Sequence, residues 1–152
     1  MTVTLLVEGL TDETVAWMLL DRAHVPLDEL DVQSCAGQRR VIENARGWNP
    51  ENGPLAVLVD ADDQAPEVAR ESVRQAIGRS DVAVFVAVPS IEFWVTGDPA
   101  VARALKEDRA RPRPAVPETK LELLAPLIDI ERAAALNPSL RDFLTGMQTL
   151  LG

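Results

Sequence analysis

Four carboxylates, Glu8, Asp60, Asp62 and Glu92, recur at positions where they could do chemistry together. Glu8 follows the apolar run Thr2 to Val7. Asp60 and Asp62 follow the run Leu55 to Val59 as Asp60-Ala61-Asp62-Asp63. Glu92 comes shortly after the run Val82 to Val88, in Pro89-Ser90-Ile91-Glu92-Phe93-Trp94. Gathered in one place, such groups repel, and each resists ionising unless a cation neutralises it. Oxygen-only donors suit Mg²⁺ or Mn²⁺, with waters and substrate phosphates completing the shell. A cation held there could polarise a phosphoryl oxygen or activate water. Within Asp60-Ala61-Asp62, the two-residue spacing lets both acids face one way in an extended chain, with Asp63 pointing elsewhere or capping the next helix. A single acid after a strand is more often a turn residue or a cap. Glu92 also suits a first helical turn, where acids are favoured. Acids at three strand ends make a shared site the better explanation.

Each run reads as a strand buried on both faces, and amphipathic segments separate them. After Glu8-Gly9, Thr11 is placed to cap a helix with Asp12 and Glu13 in its first turn. Val15, Met18, Leu19 and Trp17 would form its buried stripe, and Pro26 marks its exit. Leu30 to Cys35 reads as a weaker strand, with a short helix from Gln38 to Ala45 behind it. Gly47, Asn49, Pro50, Asn52, Gly53 and Pro54 form a loop. Pro66 suits the first turn of a helix running to Ile77. Strands alternating with helices predict an α/β fold with an open parallel sheet of about four strands and right-handed crossovers. Beyond Trp94, Ala100 to Glu107, Glu118 to Ile130 and Leu140 to Leu150 read as helices. Arg111 to Pro117 reads as a basic, proline-rich loop between them. The expectation is one domain over 1–152. Its core spans roughly 1–95, and helices over about 98–152 pack on the sheet edge.

The composition fits this. With 47% apolar and 26% charged residues, the chain has globular make-up and no disorder signature. No apolar run nears the ~20 residues of a membrane span, and the start lacks the basic segment of a signal peptide. The single cysteine, Cys35, excludes an internal disulfide or a multi-cysteine zinc site. Cytoplasmic location with no membrane partner is the expectation. A net charge of −9 argues against a free-standing nucleic-acid binder. The cations are uneven, however: Arg103, Lys106, Arg109, Arg111, Arg113 and Lys120 fall close together.

The strand-end residues also carry a family resemblance. Val7-Glu8-Gly9-Leu10-Thr11-Asp12 resembles the first motif of the Toprim family, and Val59-Asp60-Ala61-Asp62 resembles the second. Pro89-Ser90-Ile91-Glu92-Phe93-Trp94 is similar to a third signature, found in stand-alone and ATPase-linked Toprim proteins akin to overcoming-lysogenization-defect (OLD) nucleases and anti-phage effectors. The resemblance runs from about Thr2 to Trp94. It implies a Toprim-like (Rossmann-like) sheet and Mg²⁺- or Mn²⁺-dependent cleavage of DNA or RNA. By resemblance, Glu8 binds metal or serves as general acid/base, Asp60 and Asp62 hold the metal, and Glu92 adds a ligand. Lys120 would stabilise the transition-state phosphate, although an isolated Lys beginning a helix is more often simply solvated. The chain departs from the wider family in having no Tyr, so no tyrosine nucleophile acts in cis. It also has no Walker-type glycine loop, so an ATPase partner would be a separate chain.

Other residues weigh less. His24 sits near the end of the first helix, where a cation suits the dipole. Cys35 reads as a small buried thiol before it reads as a nucleophile. Gly37-Gln38-Arg39-Arg40 could present backbone amides and a guanidinium to a phosphate, although a surface helix with two arginines is the ordinary outcome. Phe93 and Trp94 read as core anchors, or as a shield for the site. Two functions of other classes compete with the nuclease. One is a catalytically inactive Toprim-like interaction subunit, which could be a homo-oligomer or pair with an ATPase. The other is a receiver-like phosphorylation switch; the acidic pair follows the third strand here, whereas receivers carry it after the first.

Overall fold

The computed structural model describes residues 2–97 and 125–152. β1 (Val3–Val7), α1 (Leu10–Arg22), β2 (Leu30–Ser34), α2 (Gln38–Arg46), β3 (Leu55–Asp60), α3 (Pro66–Ile77), β4 (Val82–Ala87) and α4 (Ile91–Thr96) alternate along the chain. α5 (Ile130–Leu136) and α6 (Pro138–Leu151) lie further on. Among the described residues the strands form one sheet in the order β2-β1-β3-β4. Every pairing is parallel: Leu5 lies opposite Val32 and Ala56, and Val57 opposite Val84. The α/β class and the parallel four-stranded sheet flanked by helices are as the sequence predicts.

The apolar runs are continuous because both faces of the sheet are covered. Successive side chains point to opposite faces, so β1 divides its residues between two cores. Val3, Leu5 and Val7 join α1 and α6, whereas Leu6 packs with Val41 and Ala45 of α2 and Ala69, Val73 and Ile77 of α3. α1 therefore lies on one face, and α2 and α3 on the other. That distribution follows from right-handed crossovers, because the connection from β1 to β2 runs one way along the sheet and those to β3 and β4 run the other way.

The α6 face is aromatic. Phe143 is fully buried, stacks on Trp94 at 5.3 Å between ring centroids, and meets Phe85 edge-on at 5.5 Å. α6 approaches β4 so closely at Gly146 that a Cβ there would land on Cε1 and Cζ of Phe85. Beside these rings, the Ser139 hydroxyl accepts from Trp94 Nε1 at 2.8 Å and from the Val88 amide at 3.0 Å, and donates to Asn137 Oδ1 at 2.6 Å. Asn137 also caps α6 by accepting from the Ser139 and Leu140 amides.

Four expectations need correction. α1 starts two residues earlier than a Thr11 cap would place it: Gly9 is the N-cap, and Thr11 is buried inside the helix. The buried stripe of α1 is Val15, Ala16, Leu19 and Leu20; Trp17 is 44% exposed and Met18 only half-buried. Trp17 lies on a different face of the 3.6-residue turn, and size does not override that geometry. No helix continues to Ile130, because a short 3₁₀ turn spans Ala125–Leu127 and Asp129 caps α5 anew by accepting from the Arg132 amide. Finally, α6 does not sit on the sheet edge: it covers a face of the sheet and supplies core through Leu140, Phe143 and Met147. The helix expected over Ala100 to Glu107, the basic loop and Lys120 lie outside the described residues.

Candidate functional site

The strand order has a switch point between β1 and β3. From β1 the chain turns towards β2, while from β3 it turns towards β4, so α1 and α3 leave those strands on opposite faces. Helices that diverge in this way leave a crevice at the carboxyl ends of the two strands, the place where open α/β sheets bind ligands. Glu8 directly follows β1, and Asp60 is the last residue of β3. The fold thus brings these two acids together from 52 residues apart.

Backbone amides orient both carboxylates. The Asp60 amide donates to Glu8 Oε2 at 2.9 Å, and the Ile91 amide, at the start of α4, donates to Asp60 Oδ1 at 3.0 Å. The two bonds chain β1, β3 and α4 into one arrangement. Ser90 caps α4 by accepting from the Phe93 amide at 3.3 Å, which sets the helix carrying Glu92. Glu92 is almost wholly buried, at 1% exposure. A charged side chain is rarely buried to that degree unless it is satisfied or functional.

These three acids share one open cleft of about 1000 Å³. The start of α1 forms a second wall with Thr11 and Asp12. The loop after β2 and the inner side of α2 form a third, through Cys35, Gly37, Arg40 and Asn44. The Gly37 amide donates to the Glu8 carbonyl at 2.7 Å and clips that loop to the end of β1. Gly37 has a φ of +106°, a conformation that side chains with a Cβ rarely adopt. Asn44 Nδ2 donates to Cys35 Sγ at 3.4 Å, and the thiol is buried, as the sequence suggests.

Asp62 falls elsewhere. β3 ends at Asp60, and Asp62 adopts a left-handed backbone, φ +54°, with its amide donating to the Pro89 carbonyl at 2.9 Å. The extended geometry that would align Asp60 with Asp62 is therefore absent. Asp62 is exposed and is not one of the residues lining the cleft. Neither Asp62 nor Asp63 caps α3, whose N-cap is Ala65. Lys120 lies outside the described residues. Sequence reasoning misses one acid: Asp12 reads as a dipole partner in a first turn, yet it is buried and lines the cleft. The spacing Glu8-x-x-x-Asp12 is the available signal, because α1 begins immediately after Gly9.

Among the described residues, no three Asp, Glu, His or Cys side chains stand close enough to hold one metal ion as a ready cage. The donor chemistry nevertheless suits a hard divalent cation. Mg²⁺ is commonly bound through one or two carboxylates, with waters and substrate phosphates completing its shell, so a three-acid cage is not required. Glu8 and Asp60 provide such a pair, with Glu92 and Asp12 in the same cleft.

Residues 2–101 match the family described as "Protein of unknown function (DUF3226)". No curated protein matches the sequence. Two solved structures of the C-terminal region of the Xanthomonas campestris pv. campestris OLD protein, phased with iodine and with platinum, share the fold. The first matches with a TM-score of 0.50 and 19% identity, over 98% of this chain and 95% of that one. The second has a TM-score of 0.50 and 18% identity, over 98% of this chain and 93% of that one. No helix among the described residues is long and apolar enough to cross a membrane.

Proposed function

We propose that this chain, which belongs to the DUF3226 family, is a Toprim-type nuclease that cleaves phosphodiester bonds of DNA or RNA with Mg²⁺ or Mn²⁺. The observation that carries the reading is the joining of Glu8 and Asp60 at the switch point of the sheet through the Asp60 amide. The fold shared with the OLD C-terminal region and the three-part Toprim resemblance support it. Asp62 and Lys120 enter the reading from the resemblance alone.

In this reading Asp60 is the principal anchoring carboxylate, because the Ile91 amide fixes its orientation. Glu8 lies beside it, able to bind or to move a proton at Oε1 or Oε2. Glu92, buried on α4, adds a third carboxyl at the back of the cleft. The bound cation would supply charge to stabilise the phosphoryl oxygens in the transition state. Any nucleotide hydrolysis coupled to cleavage would come from outside these 152 residues, which carry no Walker-type glycine loop.

The test is cleavage of fluorescent DNA and RNA oligonucleotides in Mg²⁺ or Mn²⁺, with calorimetric titration of each metal. Asp60→Asn keeps an oxygen for the Ile91 amide, and Glu8→Gln keeps one for the Asp60 amide, so both variants fold. Each is expected to lose at least about 100-fold in cleavage rate, with melting temperature nearly unchanged. Equal cleavage by both variants would remove the nuclease reading. A folded wild type that neither binds metal nor cleaves would point to the interaction subunit.

A further inference from the structure

We infer that Arg40 holds a substrate phosphate next to the one that is cleaved, across the cleft from Glu8 and Asp60. The inference rests on the nuclease reading of that cleft. It starts from how α2 distributes its three arginines. Arg39 Nε donates to Glu43 Oε1 at 3.0 Å, one helical turn on. Arg46 donates to the Ala76 carbonyl through Nε at 3.2 Å and Nη2 at 2.7 Å, tying α2 to α3. Arg40 has neither kind of anchor. Its contact with Glu43 is 4.0 Å long, to a carboxylate that Arg39 already engages, and its side chain is 68% exposed. Of the residues that line the cleft among those described, Arg40 is the one cation, and Arg39 is not a lining residue.

Electrostatics gives that placement its purpose. A nucleic-acid strand entering a cleft with four acids on its walls is repelled at each phosphate. A divalent cation offsets the repulsion at the phosphate being cleaved, and the neighbouring phosphate needs a second positive group. A guanidinium suits this role because its planar fork meets two phosphate oxygens at once. Two other donors on the same wall are engaged. The Gly37 amide is bonded to the Glu8 carbonyl, and Asn44 Nδ2 to Cys35 Sγ. The guanidinium of Arg40, on an exposed and flexible stem, is left to face the incoming strand.

The experiment is fluorescence anisotropy with a labelled single-stranded oligonucleotide, in Ca²⁺ to hold cleavage back, across a salt series. Arg40→Ala is expected to weaken binding about tenfold. It should also lower the slope of log affinity against log salt by about 0.7, the value of one single-strand phosphate contact. Arg40→Lys should restore the slope but only part of the affinity, because an ammonium lacks the fork. Arg39→Ala should bind like the wild type. Unchanged affinity and slope in Arg40→Ala would overturn the inference and leave cleavage by the wild type standing. A wild type that fails to bind the strand would overturn it as well. The stated loss in Arg40→Ala together with no cleavage by the wild type would keep Arg40 as a phosphate anchor and discard the nuclease reading.

Discussion

The aromatic cluster under α6 and the cleft at the ends of β1 and β3 share the short helix α4, yet they are held in different ways. Under α6, Phe143, Trp94 and Phe85 are fixed by contact with one another, and a glycine lets the helix come close enough. At the cleft, Glu8 and Asp60 are fixed by backbone amides from neighbouring elements, and open space lies in front of them. α4 carries Trp94 into the first region and Glu92 into the second. Side chains can interlock densely where nothing has to enter. A site that admits a ligand must orient its side chains from behind, and backbone amides do so without filling the space.

The sharpest attempt to break this division is Phe143→Ala. Removing a fully buried ring should cost about 3–5 kcal/mol in urea melts. Cleavage per folded molecule should survive if the two regions are separately held. Loss of cleavage from the folded fraction would show that Trp94, no longer braced, moves Glu92 through α4, and the division would fail. Gly146→Ala tests the same region with a smaller change. Its methyl group meets the Phe85 ring, so the cost should be about 1–3 kcal/mol by the same melt, again with cleavage intact. Neutral or increased stability would mean that the ring yields and that the aromatic cluster is looser than its geometry suggests.

The smallest effect lies outside both regions. Arg79 donates from Nη2 to Asp81 Oδ2 at 2.7 Å and from Nε to Oδ1 at 3.0 Å, just before β4. Hydrogen bonding from Arg79 holds the Asp81 carboxyl below its usual range, against a smaller opposing effect of desolvation. A depressed folded-state pKa gives stability that is complete above the ordinary carboxylate value, about 3.9, and is lost as pH falls through the lower folded value. Asp81→Asn should flatten the pH dependence of melting in that acid window only, and the difference should shrink in salt because the Asp81 carboxylate is exposed. A change in cleavage at neutral pH would contradict its separation from the cleft.

Much of the framework was legible from local pattern. Pro66 and Ile77 bound α3 as expected, and the apolar runs identified β1, β3 and β4 to within a residue or two. Glu8, Asp60 and Glu92 were recognisable because each follows such a run, and strand ends in a parallel sheet lie along one edge. Asp62 was less legible, because the two-residue rule holds only while the chain stays extended, and β3 stops at Asp60. Asp12 and Arg40 were placed on the right helices, but their shared cleft was not visible. Its walls come from α1 and α2 on opposite faces of the sheet, and no local periodicity encodes their meeting.

The sequence by itself determined the alternation of strand and helix, the continuous burial of β1 and β3 and the acids at the strand ends. Those features depend on side-chain period, proline and glycine placement, and burial, which act over a few residues. Only the tertiary structure decided the switch point between β1 and β3, the bond from the Asp60 amide to Glu8, and the position of α6 across a face of the sheet. Those features depend on strand order and on close approach between segments far apart in the chain. The hydrophobic effect requires that such faces be covered, but it does not dictate which segment covers them.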